Sequence, residues 1–500
     1  MGHVPTADQE QAMQTFALFM TDRSPQAVMV LRGSAGTGKT TLAAAIVRGM
    51  TALKQKLVLM APTGRAAKVF ALYAGQTAYT IHRRIYRQKT AGDLSSFNLN
   101  DNLHSDTLFV VDEASMIAHA AASDTFGSGS VLDDLIQYAY SGRNCRLLLI
   151  GDTAQLPPVG EEEAPALQNA TLRGYGLKVF DADLSEVLRQ SQQSGILWNA
   201  TRIREYLRGY EVRGARYEDS SAATESDLVP RTSYLVPPKA LLPRLRLQGF
   251  SDITVVPGDE LIESLASSYS RVGIDETLVV TRSNKRANIY NQGIRRTVLD
   301  REDELSRGDQ LMVVKNNYHW ASADGNSQLA NSQEPTAKSP MAFLANGDRC
   351  VVQRVRHVHE LYGFRFAEVT VQFPDYDDYE LTTTALLDTL TAEAPALTRE
   401  QQELLYNKVL EDYADIPLKA ERLKKLKSDG YYNALQVKFG YAVTCHKAQG
   451  GQWAHVYIDQ GYMTDDMLTP DYVHWLYTAL TRATEKVFLV NWPKTQIADD

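Results

Sequence analysis

Short apolar runs alternate with helical patterns through roughly the first 200 residues of the chain. Four runs, at 27–31, 56–60, 108–111 and 146–150, have the length and composition of buried strands. Strands that alternate with helices form parallel sheets, because the connection between parallel strands needs a crossover. The pattern therefore predicts a doubly wound α/β domain over residues 1–210.

A second region with the same pattern begins near residue 252. Apolar runs lie at 253–256, 278–281 and 311–314, and two further runs lie at 456–458 and 487–490. We expect a second parallel-sheet domain made from two pieces of the chain, 251–349 and 438–500. The polar, weakly periodic stretch at 211–250 is the predicted connector between the two domains.

The interruption in the second region has a pattern of its own. Three segments with alternating polar and apolar residues, at 349–355, 364–371 and 379–384, indicate a small antiparallel barrel. A charged helical stretch follows at 398–427, where Thr398 and Gln401 have the spacing of a capping box. We expect residues 350–437 to form an inserted barrel with attached helices.

A shorter insert lies in the first domain, at 83–105. Tyr86, Phe97 and Asn98 stand there among charged residues, which suits a small hairpin that projects from the first sheet. The alternative is an ordinary surface loop anchored by Phe97.

The most informative chemical pattern follows the first apolar run. Gly33 to Thr40 fit G-x-x-x-x-G-K-[ST], between a predicted strand and a predicted helix. In such a loop backbone N–H groups surround phosphate, Lys39 reaches the β- and γ-phosphate oxygens, and Thr40 offers a hydroxyl to Mg²⁺. The sequence thus predicts binding of ATP with Mg²⁺. The predicted nucleotide-binding residues here are Gly33, Ser34, Ala35, Gly36, Thr37, Gly38, Lys39, Thr40 and Thr41.

Two carboxylates end the apolar run at 108–111. Parallel strands deliver their C-terminal residues to the ligand crevice, so Asp112 is the predicted Mg²⁺ partner and Glu113 the group that polarises the attacking water. A strand end followed by a helix cap is the simpler alternative. The position, ~70 residues after the glycine-rich loop, favours the catalytic interpretation.

Composition narrows the class of protein. The 500 residues, 44% hydrophobic and 22% charged, suit a globular protein of several domains. A net charge of −8 argues against a broad electrostatic grip on nucleic acid, so such contacts would be confined to a groove. Three scattered cysteines without C-x-x-C spacing indicate a reducing compartment without a zinc or iron–sulfur site. The lack of a signal-like N-terminus or a long apolar run predicts a cytoplasmic protein without membrane contact.

Seven further strings occur in one order along the chain. They are Thr6–Gln9, Met60–Ala67, Thr80–His82, Leu149–Val159, Leu184–Gln190, Tyr441–Gly450 and Leu476–Ala483. With these and the two nucleotide motifs, nearly the whole chain resembles the superfamily 1 helicases. The resemblance is to the RecD/Dda-like branch that moves 5′ to 3′, with UvrD-like C-terminal motifs. It implies two RecA-like parallel-sheet domains in tandem, a pin-like β-hairpin insertion in the first, and an SH3-like β-barrel plus helical insertion in the second.

The resemblance also implies roles in the nucleotide site. Gln9 corresponds to the family's adenine-reading glutamine, and Gln155 to its γ-phosphate sensor. Arg189 and Arg482 correspond to two arginine fingers, which stabilise transition-state charge when the cleft between the domains closes. Gly450 belongs to a nucleotide-contacting string. The acidic residue that the family places after this string is absent, since Gly450 is followed by Gly451 and Gln452.

Nucleic-acid contacts are implied on both domains. The residues that match DNA-contacting motifs are Pro62, Thr63, Thr80, His82, Thr444, His446 and Lys447. Phe97 is the candidate for stacking on the junction base pair, with packing of the first domain as the alternative.

The expected function is that of an ATP-dependent DNA helicase that acts as a monomer on single-stranded DNA and DNA junctions, in repair or recombination. A nucleic-acid-stimulated ATPase that clamps or remodels complexes without processive unwinding is the alternative. A P-loop kinase is disfavoured by the second arginine-bearing region. RNA remains open as a partner, because stacking and backbone contacts do not read the sugar unless a 2′-hydroxyl is engaged.

Overall fold

The fold consists of two parallel sheets, a closed barrel and a small hairpin. It is seen in a computed structural model that describes residues 4–88, 97–119, 128–186, 193–219, 244–317, 319–320, 344–464 and 467–498. This arrangement confirms the predicted fold class of two RecA-like domains with a hairpin in the first and a barrel in the second.

The first domain is built on a six-stranded parallel sheet. Its helices and strands are α1 (Ala7–Thr21), β1 (Ala27–Gly33), α2 (Lys39–Ala52), β2 (Lys56–Ala61), α3 (Gly64–Ala74), β3 (Ala78–Thr80), α4 (Ile81–Ile85), β4 (Tyr86–Gln88), β5 (Phe97–Leu99), β6 (Thr107–Val111), α5 (Val131–Ser141), β7 (Arg146–Gly151), α6 (Asn169–Gly174), β8 (Lys178–Leu184) and α7 (Gly195–Asp219). The strand order is β3-β2-β6-β7-β1-β8.

The four predicted strands are the central strands β1, β2, β6 and β7. Their apolar runs are buried on both faces, which is why they are visible in the sequence. The edge strands β3 and β8 were not predicted. Strand β3 has only three residues, and β8 is partly exposed, so neither forms a continuous apolar run.

Strands β4 and β5 form the predicted antiparallel hairpin. Tyr86 pairs with Leu99, and Gln88 pairs with Phe97. The Tyr86 hydroxyl donates a hydrogen bond of 2.7 Å to Asp134 Oδ2, which fixes the base of the hairpin to α5. The tip of the hairpin, 89–96, and the side chain of Phe97 lie outside the described residues.

The second domain has a five-stranded parallel sheet and carries the barrel. In chain order this part contains β9 (Ile253–Val256), α8 (Leu261–Arg271), β10 (Thr277–Thr281), α9 (Asn284–Gly293), β11 (Gln310–Val313), β12 (Arg349–Leu361), β13 (Phe364–Phe373), β14 (Tyr379–Leu386), α10 (Arg399–Glu411), α11 (Lys419–Lys427), β15 (Leu435–Phe439), β16 (Ala442–Thr444), α12 (Cys445–Ala448), β17 (Trp453–Asp459), α13 (Pro470–Leu480) and β18 (Ala483–Val490). The order in the sheet is β16-β10-β17-β18-β9.

Five strands, β11 to β15, close the barrel. The prediction that the run at 311–314 belongs to the second parallel sheet is wrong, because β11 pairs antiparallel with β12 and β15. All four residues of β11 are buried, and a short buried run gives no periodicity that separates a barrel strand from a parallel one. The predicted capping box at the start of α10 is confirmed, with reciprocal bonds between Thr398 and Gln401.

The predicted connector falls largely outside the described residues. Helix α7 runs on to Asp219, residues 220–243 are not described, and Leu245 then pairs with Ile497 near the other end of the chain. Within the described ranges, no helix is both long and apolar enough to cross a membrane.

A buried carboxylate ties the second domain to its barrel. Asp309, one residue before β11, is fully buried and lies 3.0 Å from Arg295 Nη2 and 2.8 Å from Arg301 Nη1. It also accepts hydrogen bonds from the Tyr441 hydroxyl, at 2.8 Å, and the Ser306 amide, at 2.7 Å. Both oxygens are therefore satisfied by donors from the segments that flank the barrel.

Replacement of Asp309 by alanine should strongly destabilise the chain. The change leaves the buried Arg295 guanidinium without its carboxylate, and the loss of one partner of a buried ion pair costs ~3–5 kcal/mol. Thermal unfolding should show a lower midpoint, whereas Glu403→Ala, which breaks an exposed pair with Arg399, should leave the midpoint unchanged. Equal midpoints for Asp309→Ala and the unsubstituted chain would contradict this role.

Candidate functional site

The glycine-rich loop has the shape that the sequence predicts. Gly36 and Gly38 both have φ of 78°, a backbone conformation that glycine adopts without steric cost. A Cβ atom at Gly33 would lie 2.8 Å from Thr37 Oγ1 and 2.9 Å from Lys39 Cγ, so only glycine fits there. The loop runs from β1 into the N-terminus of α2, which places backbone N–H groups and the positive end of the helix dipole at one point.

Lys39 is held by the loop itself. Its ammonium donates hydrogen bonds to the carbonyl oxygens of Gly33, at 2.5 Å, and Ser34, at 3.0 Å. Asp152 Oδ2 lies 3.7 Å away, at the end of β7. These oxygens would compete with a phosphate for the three N–H donors of the ammonium.

Asp112 and Glu113 follow β6, which lies between β2 and β7 in the sheet. Burial raises the pKa of Asp112, and the neighbouring Glu113 carboxylate raises it further. Glu113 has φ of 53°, and its amide donates a 2.9 Å hydrogen bond to Asp112 Oδ1. The two carboxylates thus have separate environments, one buried and one at the edge of a tight turn.

Asp112 and Thr40 fit the needs of Mg²⁺. A carboxylate and a hydroxyl line one cavity, and Mg²⁺ takes few protein oxygens because phosphates and waters complete its shell. A buried carboxylate with a raised pKa is also the group that gains most from a nearby dication. These two residues would hold the ion next to the phosphates.

Gln155, another predicted residue of the nucleotide site in the first domain, follows β7. Its side chain is largely buried, and its Oε1 has no hydrogen-bond partner among the described residues. An unsatisfied buried oxygen is costly, so this amide is suited to a partner that arrives with the ligand or its water.

Arg482 reaches the site from the second domain. It is buried, and its guanidinium donates hydrogen bonds to the carbonyl oxygens of Thr478 and Gly451, both at 3.1 Å. Gly450, with φ of 73°, brings this domain close to the first, since a Cβ there would lie 3.1 Å from Thr63 Oγ1. The other predicted finger, Arg189, lies outside the described residues.

A cavity of about 400 Å³ between the two domains unites these groups. From the first domain it is lined by Ser34, Ala35, Gly36, Gly38, Lys39, Thr40, Thr41, Asp112, Glu113, Asp152 and Gln155, and from the second by Gly450, Gln452, Thr481, Arg482, Ala483 and Thr484. The predicted residues Gly33 and Thr37 belong to the loop but are not part of this lining.

Gln9 lies on the side of the loop that faces α1, against Thr37. It is fully buried, accepts a hydrogen bond from the Thr6 amide, and donates one of 3.1 Å to the Thr37 carbonyl. The oxygen of its amide therefore caps α1, and the nitrogen fixes α1 to the loop. Its adenine-reading role stays a prediction.

Two site residues were missed in the sequence. Arg204, on α7, donates hydrogen bonds to the Ser34 hydroxyl and, at 3.1 Å, to the Ser185 carbonyl. Tyr477, on α13, contacts both Ala35 and Asp152. Tyr477 lies inside the string Leu476–Ala483, which was a usable signal, whereas an arginine in a long polar helix gives none.

The predicted DNA-contact residues of the first domain follow β2 and β3. Thr63 and Thr80 cap α3 and α4, with their hydroxyls accepting from the amides of Ala66 and Arg83. Burial lowers the pKa of His82 to about 4, so its ring is neutral at physiological pH. Pro62 lies beside Thr63 and is partly exposed.

The predicted DNA-contact residues of the second domain follow β16. Thr444 is partly exposed and His446 is exposed. Burial lowers the pKa of Lys447 to about 8, with a further contribution from Lys438, which leaves a mainly cationic group at neutral pH. Both sets therefore lie at the carboxyl edges of their sheets, where parallel-sheet proteins bind ligands.

The barrel touches the first of these edges. The Lys68 ammonium, on α3, bonds to the Pro374 carbonyl at the end of β13. A Cβ at Gly64 would lie 2.6 Å from the Tyr376 hydroxyl, which itself donates a 3.1 Å hydrogen bond to Asp348 Oδ1. The first turn of α3 is thus packed against the barrel.

Comparisons with known proteins agree with this arrangement. Residues 5–214 match the AAA domain family, and residues 439–490 match the UvrD-like helicase C-terminal domain. The predicted resemblance to RecD-like superfamily 1 helicases is confirmed. The two matched segments of this helicase-like chain hold, respectively, the glycine-rich loop and Arg482.

The individual relatives of this chain are distant. The ATP-dependent RecD2 DNA helicase of Deinococcus radiodurans is 33% identical over 138 residues, which are 26% of this chain and 16% of that protein. An uncharacterized protein of Methanocaldococcus jannaschii is 34% identical over 148 residues, 27% of this chain and 12% of that protein. The chain thus spans well under a fifth of the length of these relatives.

Solved structures align over the whole chain at low identity. A Pif1 helicase from Bacteroides, in complex with ADP-AlF3 and single-stranded DNA, is 14% identical with a TM-score of 0.44, covering 100% of this chain and 95% of that one. A Pif1 helicase from Candida albicans is 14% identical with a TM-score of 0.38, covering 100% and 97%.

The Asp112 environment predicts a pH dependence of metal binding. A raised pKa means that the folded chain keeps a proton on Asp112 at pH values where an ordinary aspartate has lost it, so Mg²⁺ has to displace that proton. Calorimetry with Mg²⁺ and ADP, in two buffers of different ionisation enthalpy, should show proton release and an affinity that rises with pH. ADP releases protons of its own when it binds Mg²⁺, so Asp112→Asn should lower the proton release to the amount measured for Mg²⁺ and ADP without protein. The same proton release in Asp112→Asn and in the unsubstituted chain would contradict the assignment.

Proposed function

We propose that this chain is an ATP-dependent DNA helicase that translocates 5′ to 3′ on single-stranded DNA and separates duplex at junctions. The observation that carries the proposal is the interdomain cavity, which has the phosphate loop on one wall and Arg482 on the other. Because the hydrolytic groups belong to two domains, the rate of hydrolysis depends on how closely the domains approach.

Each proposed role follows from position. Lys39 and the loop amides bind the phosphates, and Thr40 and Asp112 hold Mg²⁺, which neutralises charge on the transferring phosphoryl group. Glu113 orients and deprotonates the attacking water, and Gln155 reports on the γ-phosphate. Arg482, with Arg189 as the second finger, stabilises the charge that develops in the transition state.

DNA would lie across the carboxyl edges of both sheets. A strand held by the groups near Thr63 and Thr80 on one domain, and near Thr444 and Lys447 on the other, bridges the two domains and favours their closed arrangement. Hydrolysis would then change the separation of the two contact regions, which moves the chain along the strand. RNA stays open as a second strand type, because stacking and backbone contacts do not read the sugar unless a 2′-hydroxyl is engaged.

The competing proposal is an ATPase that clamps nucleic acid without processive unwinding. It shares the cavity and the strand-binding edges, and it differs only in what hydrolysis does to duplex. The hairpin β4–β5 favours the helicase, since a two-stranded element that follows Thr80 and His82 along the chain suits a separating pin. Involvement in repair or recombination, and action as a monomer, belong to the same proposal.

Loss of the arginine finger gives the first test. Arg482→Ala should lower ATP hydrolysis by something on the order of 10³-fold, with a smaller effect on ATP affinity, because the finger acts mainly on the transition state. Arg271→Ala, an exposed arginine on the same domain, is the matched control and should retain the full rate. If Arg482→Ala lost ATP affinity instead of rate, Arg482 would be a ground-state binder.

Substrate polarity and strand separation give the second test. Duplexes with a 5′ tail should be unwound, and duplexes with a 3′ tail or blunt ends should not. Phe97→Ala should lower unwinding far more than DNA-stimulated hydrolysis, because stacking on a base, worth ~1–3 kcal/mol, matters only at the junction. Leu103→Ala, an exposed apolar residue of the same insert, is the control. Stimulated hydrolysis without separation of any duplex would favour the clamp.

A further inference from the structure

One hydroxyl of the second domain contacts two segments of the phosphate site. Tyr477, on α13, is fully buried. Its hydroxyl donates a 2.6 Å hydrogen bond to Asp152 Oδ2 and accepts a 2.9 Å hydrogen bond from the Ala35 amide of the glycine-rich loop. Both partners belong to the first domain, so these two bonds can form only while α13 lies against the loop.

The same oxygen of Asp152 faces Lys39. Asp152 Oδ2 is 3.7 Å from Lys39 Nζ, and the other oxygen, Oδ1, accepts a 3.0 Å hydrogen bond from the Ala154 amide. Asp152 is buried, where a carboxylate attracts a nearby ammonium strongly. Oδ2 is therefore shared between a cation of its own domain and a hydroxyl of the other domain.

Sharing one oxygen makes the two contacts compete. When the Tyr477 hydroxyl donates to Oδ2, the carboxylate charge is partly satisfied and its hold on Lys39 weakens. The Gly33 and Ser34 carbonyls hold the ammonium even with α13 in place. Without the Tyr477 bond, the full Asp152 charge would add to that hold. Burial, and then the Asp152 charge, raise the pKa of Tyr477 well above its usual range, so the hydroxyl keeps its proton and remains a donor.

We propose that Tyr477 is a positioning residue that controls, through Asp152, whether Lys39 is held by its own loop or released to the nucleotide. The proposal rests on the proposed ATP-driven function and deepens it. It makes the chain's phosphate-binding lysine respond to the approach of the second domain, and hence to a strand that draws the domains together. Arg204 supports the same loop from α7, by its bond to Ser34, and it also interacts electrostatically with Asp152.

The test compares two buried tyrosines in the full-length chain. Tyr477→Phe removes the hydroxyl at the loop. Tyr457→Phe is the matched control, because Tyr457 is equally buried in the second domain and its hydroxyl bonds to Ser264, at 2.8 Å, and Ser268, at 2.7 Å, away from the site. ATP hydrolysis is measured for each with and without saturating oligo-dT.

We expect Tyr477→Phe to weaken the stimulation of ATP hydrolysis by DNA more than it lowers the hydrolysis rate without DNA. A hydrogen bond to a charged group is worth about 10- to 100-fold in an equilibrium, so Tyr477→Phe should lower the DNA-stimulated rate by about that factor. The rate without DNA should fall less, so the ratio of the two rates should collapse towards one. Tyr457→Phe should keep the ratio of the unsubstituted chain, with any loss confined to its thermal midpoint.

A second variant keeps the test decisive if Tyr477→Phe folds poorly. Asp152→Asn removes the charge that holds Lys39, so it should raise the rate without DNA and lower the stimulation ratio. An unchanged ratio in Tyr477→Phe, or equal losses of both rates in Asp152→Asn, would overturn this role alone. An unsubstituted chain whose hydrolysis ignores DNA would instead overturn the proposed function, and this role with it.

Discussion

The arrangement of the structure depends on the contact between the glycine-rich loop of the first domain and the second domain, which carries Arg482. The loop is fixed by its own sequence, since Gly33 leaves no room for a Cβ and Gly36 and Gly38 adopt a positive φ that glycine takes without steric cost. Arg482 is fixed by the backbone of its own domain, through Thr478 and Gly451. Neither half is complete alone, and this incompleteness links the chemistry to movement of the domains.

The same constraint explains where the sequence was informative. Strands β1, β6 and β7 end at the cavity and are buried on both faces, so their apolar runs and the polar residues that follow them were visible without a structure. The assignments of Lys39 and Asp112 rest on that visibility, whereas the role of Gln155 rests on the resemblance to the helicase family. Strand β11 has an equally apolar run, and yet it belongs to the barrel, because pairing partners distant in sequence decide the sheet that a short buried strand joins.

Other features had no local signal. The capping roles of Thr63 and Thr80 come from where α3 and α4 begin, and both compete with a role in DNA contact. Tyr376 packs against Gly64, which lies more than 300 positions away in the sequence. The need for glycine at position 64 therefore becomes clear only from the position of the barrel. Helix α3 is thereby a shared support, since its side chains Ala66, Val69 and Tyr73 line the nucleotide cavity while Gly64 and Lys68 contact the barrel.

The central claim is that nucleotide and DNA together draw the two domains closer, and an interdomain distance tests it most directly. Spin labels on Leu53→Cys and Ile262→Cys, exposed positions on the first and second domains, suit the measurement because all three native cysteines are buried. The account predicts that pulsed electron resonance will show the shortest and narrowest distance distribution with a non-hydrolysable ATP analogue and single-stranded DNA both bound. The account would be contradicted if the free chain, the chain with one ligand and the chain with both ligands all showed the same distance distribution.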